Sequence, residues 1–265
     1  MASPSLIRRV EEAFFGAWPA LAHGFDDGWV LRFADGYTKR SNSVTPTYAA
    51  LDGDADVEAK IDRAEAWYRA RSLPPVFRST PLADPSDLDE RLAARGYTVW
   101  SPCRALYLSS LTAETLPPFP ESVSLRVDTN PREGWLEASQ ALMPLISSHE
   151  ATLGRMLDAI VPEARFGAIY EDGQPLGVAF VVVQGTLMTT FHVLTAPKAR
   201  RRGLMRALLA RLVDWAMDEG ATAGALFVGV NNVAAGTLYE KLGYEELYRY
   251  HYRVAPEVLG GSVVC

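Results

Sequence analysis

An apolar run from Phe191 to Thr195 passes through a short basic turn containing Gly203 and goes straight into a stretch with Leu204, Ala207, Leu208, Leu212 and Trp215 at helical spacing. No other feature constrains the chain as much. A strand that turns directly into a helix leaves the first helical N–H groups without intrahelical partners at the end of a sheet. Those donors, the positive end of the helix dipole and the charges of Arg200, Arg201, Arg202 and Arg206 predict an anion site. Gly203 lets the backbone approach a ligand closely. A basic turn before a helix is also a common solvated surface feature, so the turn alone leaves its ligand open.

A second stretch narrows the choice. Residues 231–244 place Asn232 seven positions before Tyr239 on an expected helix that exits through Gly243-Tyr244. The order of strand, Arg-x-x-Gly turn, helix, strand, Asn-x-x-Ala-x-x-x-Tyr helix and Gly-Tyr exit resembles the GCN5-related N-acetyltransferase (GNAT) superfamily. The resemblance implies an α/β fold with a mixed sheet, and acetyl-coenzyme A as cosubstrate. Its pyrophosphate would be wrapped by the loop of Arg200, Arg201, Arg202, Gly203, Leu204, Met205 and Arg206. Its pantetheine arm would pair with the backbone of Val193, Leu194 and Thr195, and Asn232 would lie at the cofactor. Met205 departs from the pattern, since the superfamily has a small residue there. Close approach of the phosphates then requires the Met205 side chain to turn away.

Acetyl transfer from a thioester to an amine needs a neutral amine, donors for the developing oxyanion and a proton for the departing thiolate. Tyr239 suits the last role, because a phenol is still protonated at neutral pH; without the motif it reads as a packed aromatic. His192 is the candidate base on the cofactor strand. Strict alternation turns it opposite to Phe191 and Val193, and a lone strand histidine is more often structural. His149 and Glu150, which open a helix in the region that lines the acceptor site of the superfamily, are expected to bind the acceptor amine. Their plainer reading is a cap neighbour and a carboxylate at a helix N-terminus.

Composition limits the partners. A net charge of −6 disfavours non-specific nucleic-acid binding, so the basic cluster from Lys198 to Arg206 suits a small polyanion better than a duplex. Two cysteines, Cys103 and Cys265, make neither a disulfide framework nor a zinc site, and no metal is expected. The N-terminus lacks the apolar run of a signal peptide, and no stretch is long and apolar enough to span a membrane, which leads to the expectation of a soluble cytoplasmic protein.

In chain order, periodicity predicts a helix within 7–22 that ends near Pro19, and a strand over 28–34, joined through a hairpin turn at Asp35-Gly36 to a strand over 37–44. Lys39, Arg40, Ser41 and Asn42 on that second strand read as a solvated edge or as a cleft-facing acceptor site. A helix over 57–71, a strand over 76–80, a helix over 87–95 and a strand from Gly96-Tyr97 follow. In outline this repeats the C-terminal region without its anion turn. Residues 1–114 therefore read as a degenerate GNAT-like lobe, 115–120 as a proline-rich linker and 121–265 as the catalytic domain, two tandem lobes in all. Within the second lobe the strand over 176–183 is too continuously apolar for an edge and is expected to be central, and 248–254 to close the sheet. The leading reading is an N-acetyltransferase for a small-molecule or peptide amine. The alternative is a non-catalytic acyl-CoA-binding scaffold; a nucleic-acid binder using the arginine run is disfavoured by the acidic charge.

Overall fold

The computed structural model describes residues 2–50, 56–114 and 119–256, so Cys265 and all but the end of the expected linker lie outside the described residues. The chain divides into two compact units, one of 1–106 with 227–265 and one of 107–226. This division by packing does not follow the division by sequence repeat, because the C-terminal segment belongs to the same unit as the N-terminus.

In the first unit, α1 (Pro4–Ala17) begins at Ser3, whose side chain accepts the Leu6 N–H at 3.3 Å, with Pro4 in the first turn, and it stops two residues before Pro19. Strands β1 (Ala22–Asp26) and β2 (Trp29–Phe33) form a hairpin with Ala22 opposite Phe33. This hairpin is additional to the expected pairing of 28–34 with 37–44, which forms only at the end of the second segment, with Leu31 opposite Val44 and Val30 opposite Thr45. Asp27 and Gly28 both have positive φ (40° and 85°), the geometry of a two-residue hairpin turn. After Asp35-Gly36 the Asn42 side chain accepts the N–H groups of Ala34 and Gly36 and donates to the Tyr37 and Thr38 carbonyls, curling the chain into a 3-10 turn over Lys39–Ser41. Nor is this segment a solvated edge: Lys39, Ser41 and Asn42 are buried and Arg40 is half-buried.

The remaining elements of this unit are β3 (Val44–Thr45), α2 (Val57–Arg69), β4 (Val76–Ser79), α3 (Leu88–Ala94), β5 (Thr98–Leu108), α7 (Val233–Lys241) and β11 (Glu245–Val254). Its strands run in the order β1-β2-β3-β4-β11-β5, with β3 and β4 parallel. The last strand, expected to close the second lobe's sheet, instead pairs antiparallel with β4, Tyr252 opposite Arg78 and Val254 opposite Val76. One face of the sheet carries Leu31, Phe33 and Phe77 and is covered by α2, whose Tyr68 ring lies 4.7 Å from that of Phe33. The other face carries Arg32 and Arg78 beneath α1, with Glu11 bonded to Arg78 and to Tyr248.

The second unit contains β6 (Val123–Asp128), α4 (Trp135–Leu142), α5 (Glu150–Asp158), β7 (Glu163–Glu171), β8 (Gln174–Gln184), β9 (Leu187–Thr195), α6 (Leu204–Asp218) and the first half of β10 (Ala223–Gly229). Its strand order is β10-β9-β8-β7-β6, parallel only between β9 and β10. The apolar β8 lies in the middle, as its composition requires. Phe166 stands opposite Phe180, both on the face covered by α4, where Trp135 lies 5.4 Å and 5.6 Å from their rings. On the opposite face Gly167 lets α6 come close: a Cβ added there would lie 2.5 Å from Leu208 Cδ1.

Candidate active site

The anion turn forms because two residues accept positive φ between strand and helix. After β9, Ala196 donates to the Leu176 carbonyl at 2.8 Å and Pro197–Ala199 makes a 3-10 turn. Arg201 (φ 61°) and Gly203 (φ 78°) then reverse the chain into α6. The ladder of α6 begins with the Ala207 N–H donating to Gly203 O at 3.0 Å, so the N–H groups of Leu204, Met205 and Arg206 form the first turn of donors that a helix cannot satisfy internally. A Cβ placed on Gly203 would meet no heavy atom within 4 Å, so the turn faces open space.

Met205 is buried, its side chain turned inward. Its Cε packs over Gly177 on β8, where an added Cβ would lie only 2.8 Å away. The long side chain is therefore taken up by the absence of one on the sheet.

The arginines divide into two pairs. Arg202 forks onto Glu171 at 3.0 and 2.6 Å, and Arg206 bonds to Glu114. The Arg202 guanidinium holds the half-buried Glu171 carboxyl below its ordinary value. Arg200 and Arg201 are exposed and make no ion pair among the described residues. Sequence reading missed both carboxylates, because Glu171 and Glu114 lie 31 and 92 positions from their partners. The turn keeps the positive field of Lys198, Arg200 and Arg201, and two of its four arginines serve as braces.

Strand β9 changes character along its length. Leu187–Thr190 are buried and pair with β10 in a register that ends at Leu226 opposite Thr190, while residues 192–195 are half-buried. Opposite β8, Phe191 faces Phe180 and Leu194 faces Val178, so two residues, His192 and Val193, stand against Ala179 alone. This is a β-bulge, with His192 at φ 55°. The bulge overturns the alternation argument: His192 comes round to the same face as Phe191. There its Nε2 lies 2.7 Å from Ser139 Oγ on α4, and its ring lies 5.3 Å from Trp135. Ser139 is fully buried and was not foreseen; its signal was a lone hydroxyl on the apolar stripe of α4. His149 ends a 3-10 turn over Pro144–His149, half-buried, and Glu150 opens α5 exposed.

Asn232 and Tyr239 belong to the first unit. Asn232 caps α7, accepting the Ala235 N–H at 3.2 Å. Tyr239 lies on the buried side of α7, edge-on to Tyr244 with ring centroids 6.0 Å apart. Burial, with the neighbouring Tyr244 adding to it, pushes its phenol up from the ordinary value, so it is a proton donor and not a base at neutral pH.

Among the described residues no group of three or more His, Cys, Asp or Glu is arranged to hold a metal ion, and no helix is long and apolar enough to cross a membrane. The turn's row of N–H donors, its open glycine and its unbraced arginines fit the diphosphate of a coenzyme A thioester.

Comparison with known proteins gives the family. Residues 4–253 match the family described as "Probable histone acetyltransferase Rv0428c C-terminal". An uncharacterized N-acetyltransferase, YobR of Bacillus subtilis, is 25% identical over 94% of this chain and 98% of its own length. The probable histone acetyltransferase Rv0428c of Mycobacterium tuberculosis is 28% identical over 94% of this chain and 74% of its own length. A tandem GNAT protein from the clavulanic acid biosynthesis pathway shares the fold, with a TM-score of 0.68 at 14% identity over 93% of this chain and 87% of that one. The chain belongs to the Rv0428c C-terminal acetyltransferase family and is thus an acyltransferase of the GCN5-related N-acetyltransferase superfamily.

Proposed function

We propose that this acyltransferase moves the acetyl group of acetyl-CoA to a primary amine by direct attack on the thioester. The observation that carries the reading is the turn at Gly203, which meets open space and leads into the unbonded first N–H groups of α6, while the Met205 side chain is folded onto Gly177. Leu204, Met205 and Arg206 would hold the diphosphate through their N–H groups, with Arg200 and Arg201 adding charge. Val193, Leu194 and Thr195 would offer main-chain partners to the pantetheine arm, and one of their amides a donor to the developing oxyanion. Acetyl-CoA supplies the activated acyl group; this chain positions it and moves two protons. His192, held by Ser139, takes the proton of the incoming amine. Tyr239 gives its proton to the departing sulfur, a role that rests on its place in the Asn-x-x-Ala-x-x-x-Tyr motif and on a phenol that burial keeps protonated. His149 and Glu150 contribute to acceptor binding.

We further propose a cytoplasmic enzyme in which residues 1–114 descend from a lobe that lost its cofactor turn, with 121–265 the catalytic part. The acceptor class is either a small-molecule or a peptide amine. The test is thiol release from acetyl-CoA across a broad amine panel. Tyr239→Phe is expected to lower kcat by about 100-fold, as loss of a general acid does, and to leave the KM for acetyl-CoA unchanged. Wild-type thiol release no faster than buffer for every amine would sink the reading.

A further inference from the structure

The groups assigned above leave unused the polar face of the first unit's sheet, under α1. Strand register builds that face. Arg32 on β2 donates its N–H to the Ser43 carbonyl at 3.3 Å, Thr45 on β3 stands opposite Val30, and Arg78 on β4 stands opposite Tyr252 on β11. Tyr250, two residues along β11, is on the same face, with the Arg78 guanidinium 4.0 Å from its ring centre. Arg32 is 1% exposed, Arg78 and Tyr250 2%, and Ser43 and Thr45 0%.

The donors on this face exceed what the described residues accept. Arg78 gives Nη1 to Glu11, while its Nε and Nη2 have no hydrogen-bond partner among the described residues. Those two atoms form the straight edge of the guanidinium, the edge that takes a carboxylate or phosphate side-on through two parallel bonds. Arg32 donates to the Arg40 and Trp18 carbonyls at 2.8 and 2.5 Å, and its Nε is likewise without a partner. The hydroxyls of Ser43, Thr45 and Tyr250 share that condition.

Charge points the same way. Arg32 and Arg78 are buried together, Arg40 is half-buried within their field, and Glu11 is the acidic side chain bonded to Arg78. Burial first, and the charge of Arg78 second, hold Arg32 down to about 10. Removing two guanidiniums from water is costly unless charge and hydrogen bonds are supplied in return. Buried water could fill the hydrogen bonds. Glu11 already supplies one negative charge, to Arg78, so what an anion adds is charge for Arg32 and the half-buried Arg40.

We propose that this face is a second binding site, for a compact oxyanion on a small molecule, a carboxylate or a phosphate group, taken side-on by Nε and Nη2 of Arg78 and contacted by Ser43, Thr45 and Tyr250. The site lies wholly within the first unit and stands apart from the acetyl-CoA reading. Its test therefore uses full-length protein carrying Arg200→Ala and Arg201→Ala, which weakens the anion turn. Melting temperature is followed against inorganic phosphate and, separately, acetate, with chloride at matched ionic strength as reference. A saturable rise with either anion is expected, and the more effective one names the source of the oxyanion. Replacing the fork by a point charge, Arg78→Lys, should weaken that response about tenfold, the scale of one charge-assisted hydrogen bond. Thr45→Val, which keeps shape and removes a hydroxyl, should weaken it several-fold and serves if the lysine variant fails to fold. The proposal is overturned if neither anion acts beyond chloride, if the response survives Thr45→Val and Arg78→Lys undiminished, or if phosphate-soaked crystals show only water on the Arg78 edge.

Discussion

Replacing Gly177 by alanine tests how the turn is built. The new Cβ would lie 2.8 Å from Met205 Cε and 3.1 Å from the Leu194 carbonyl oxygen. Ordinary contact is near 3.6–4.0 Å, so the methionine end must move by roughly 1 Å, while the carbonyl, part of the β9 backbone, can yield only a few tenths. Overpacking of this kind costs about 1–3 kcal/mol, and because one contact is the end of a flexible side chain we expect about 1.5 kcal/mol, a fall of roughly 3–6 °C in Tm. The same displacement pushes on the start of α6 and on Leu194. The KM for acetyl-CoA should therefore rise several-fold while kcat changes little. Met205→Ala alone should destabilise by about 2 kcal/mol or more through the space it leaves. The double variant decides the matter: in Gly177→Ala with Met205→Ala the new methyl occupies space the methionine gave up, so the two losses should fall short of additivity by about 1 kcal/mol. Thermal melts and acetyl-CoA saturation curves read both effects. Strict additivity, or a Gly177→Ala variant with wild-type Tm and KM, would refute the claim that Met205 is accommodated by this glycine.

Other expectations follow from the same contacts. Arg200→Ala with Arg201→Ala should raise the Kd for coenzyme A about tenfold or more by calorimetry, whereas Arg202→Ala, which removes an arginine already braced by Glu171, should raise it less; the reverse ranking would contradict the division of roles. Ser139→Ala frees the His192 ring and should lower kcat several-fold with an unchanged KM for acetyl-CoA, at a stability loss of about 1 kcal/mol. In the first unit, Asp89 receives hydrogen bonds from Arg253 and His251, and the Arg253 bond above all lowers its pKa from 3.8 to about 2. A depressed carboxylate contributes stability that is fully present above its unfolded value and lost as pH falls through the folded one. Allowing for partial exposure, Asp89→Asn should cost about 1–2 kcal/mol at pH 7 and almost nothing below pH 2, measured by urea titration; a loss independent of pH would be inconsistent with this account.

Much of the molecule follows from short-range rules. Ser3 and Pro4 start α1, Asn232 caps α7, and the unbroken apolar run of β8 puts it in the middle of its sheet. The strand, basic turn and helix from Phe191 to Leu209 form as read, because a positive φ at Gly203 and the first free N–H groups of a helix are properties of a few consecutive residues. Two Asp-Gly turns lie eight residues apart, both with positive φ; the expected pairing across the second survives only at Val44 and Thr45, and the hairpin at the first was missed. What shortened the second strand was Asn42, whose amide binds the chain after the second turn into a curl.

Three things belonged to the tertiary structure. One partner of β11 is β4, far earlier in the chain, and nothing in the alternating tyrosines of β11 names β4 rather than a strand of the second unit. His192 changes face because one extra residue opposite Ala179 shifts the pleat, and a bulge depends on the register of both strands. Met205 is harmless to the turn because Gly177, on another strand, has no side chain. Local sequence set which segments would be helix, strand and basic turn, since those rest on backbone preferences within a few residues. Which strand pairs with which, which way a histidine faces and which arginine stays unbraced rest on contacts between distant segments, and only the folded chain brings those together.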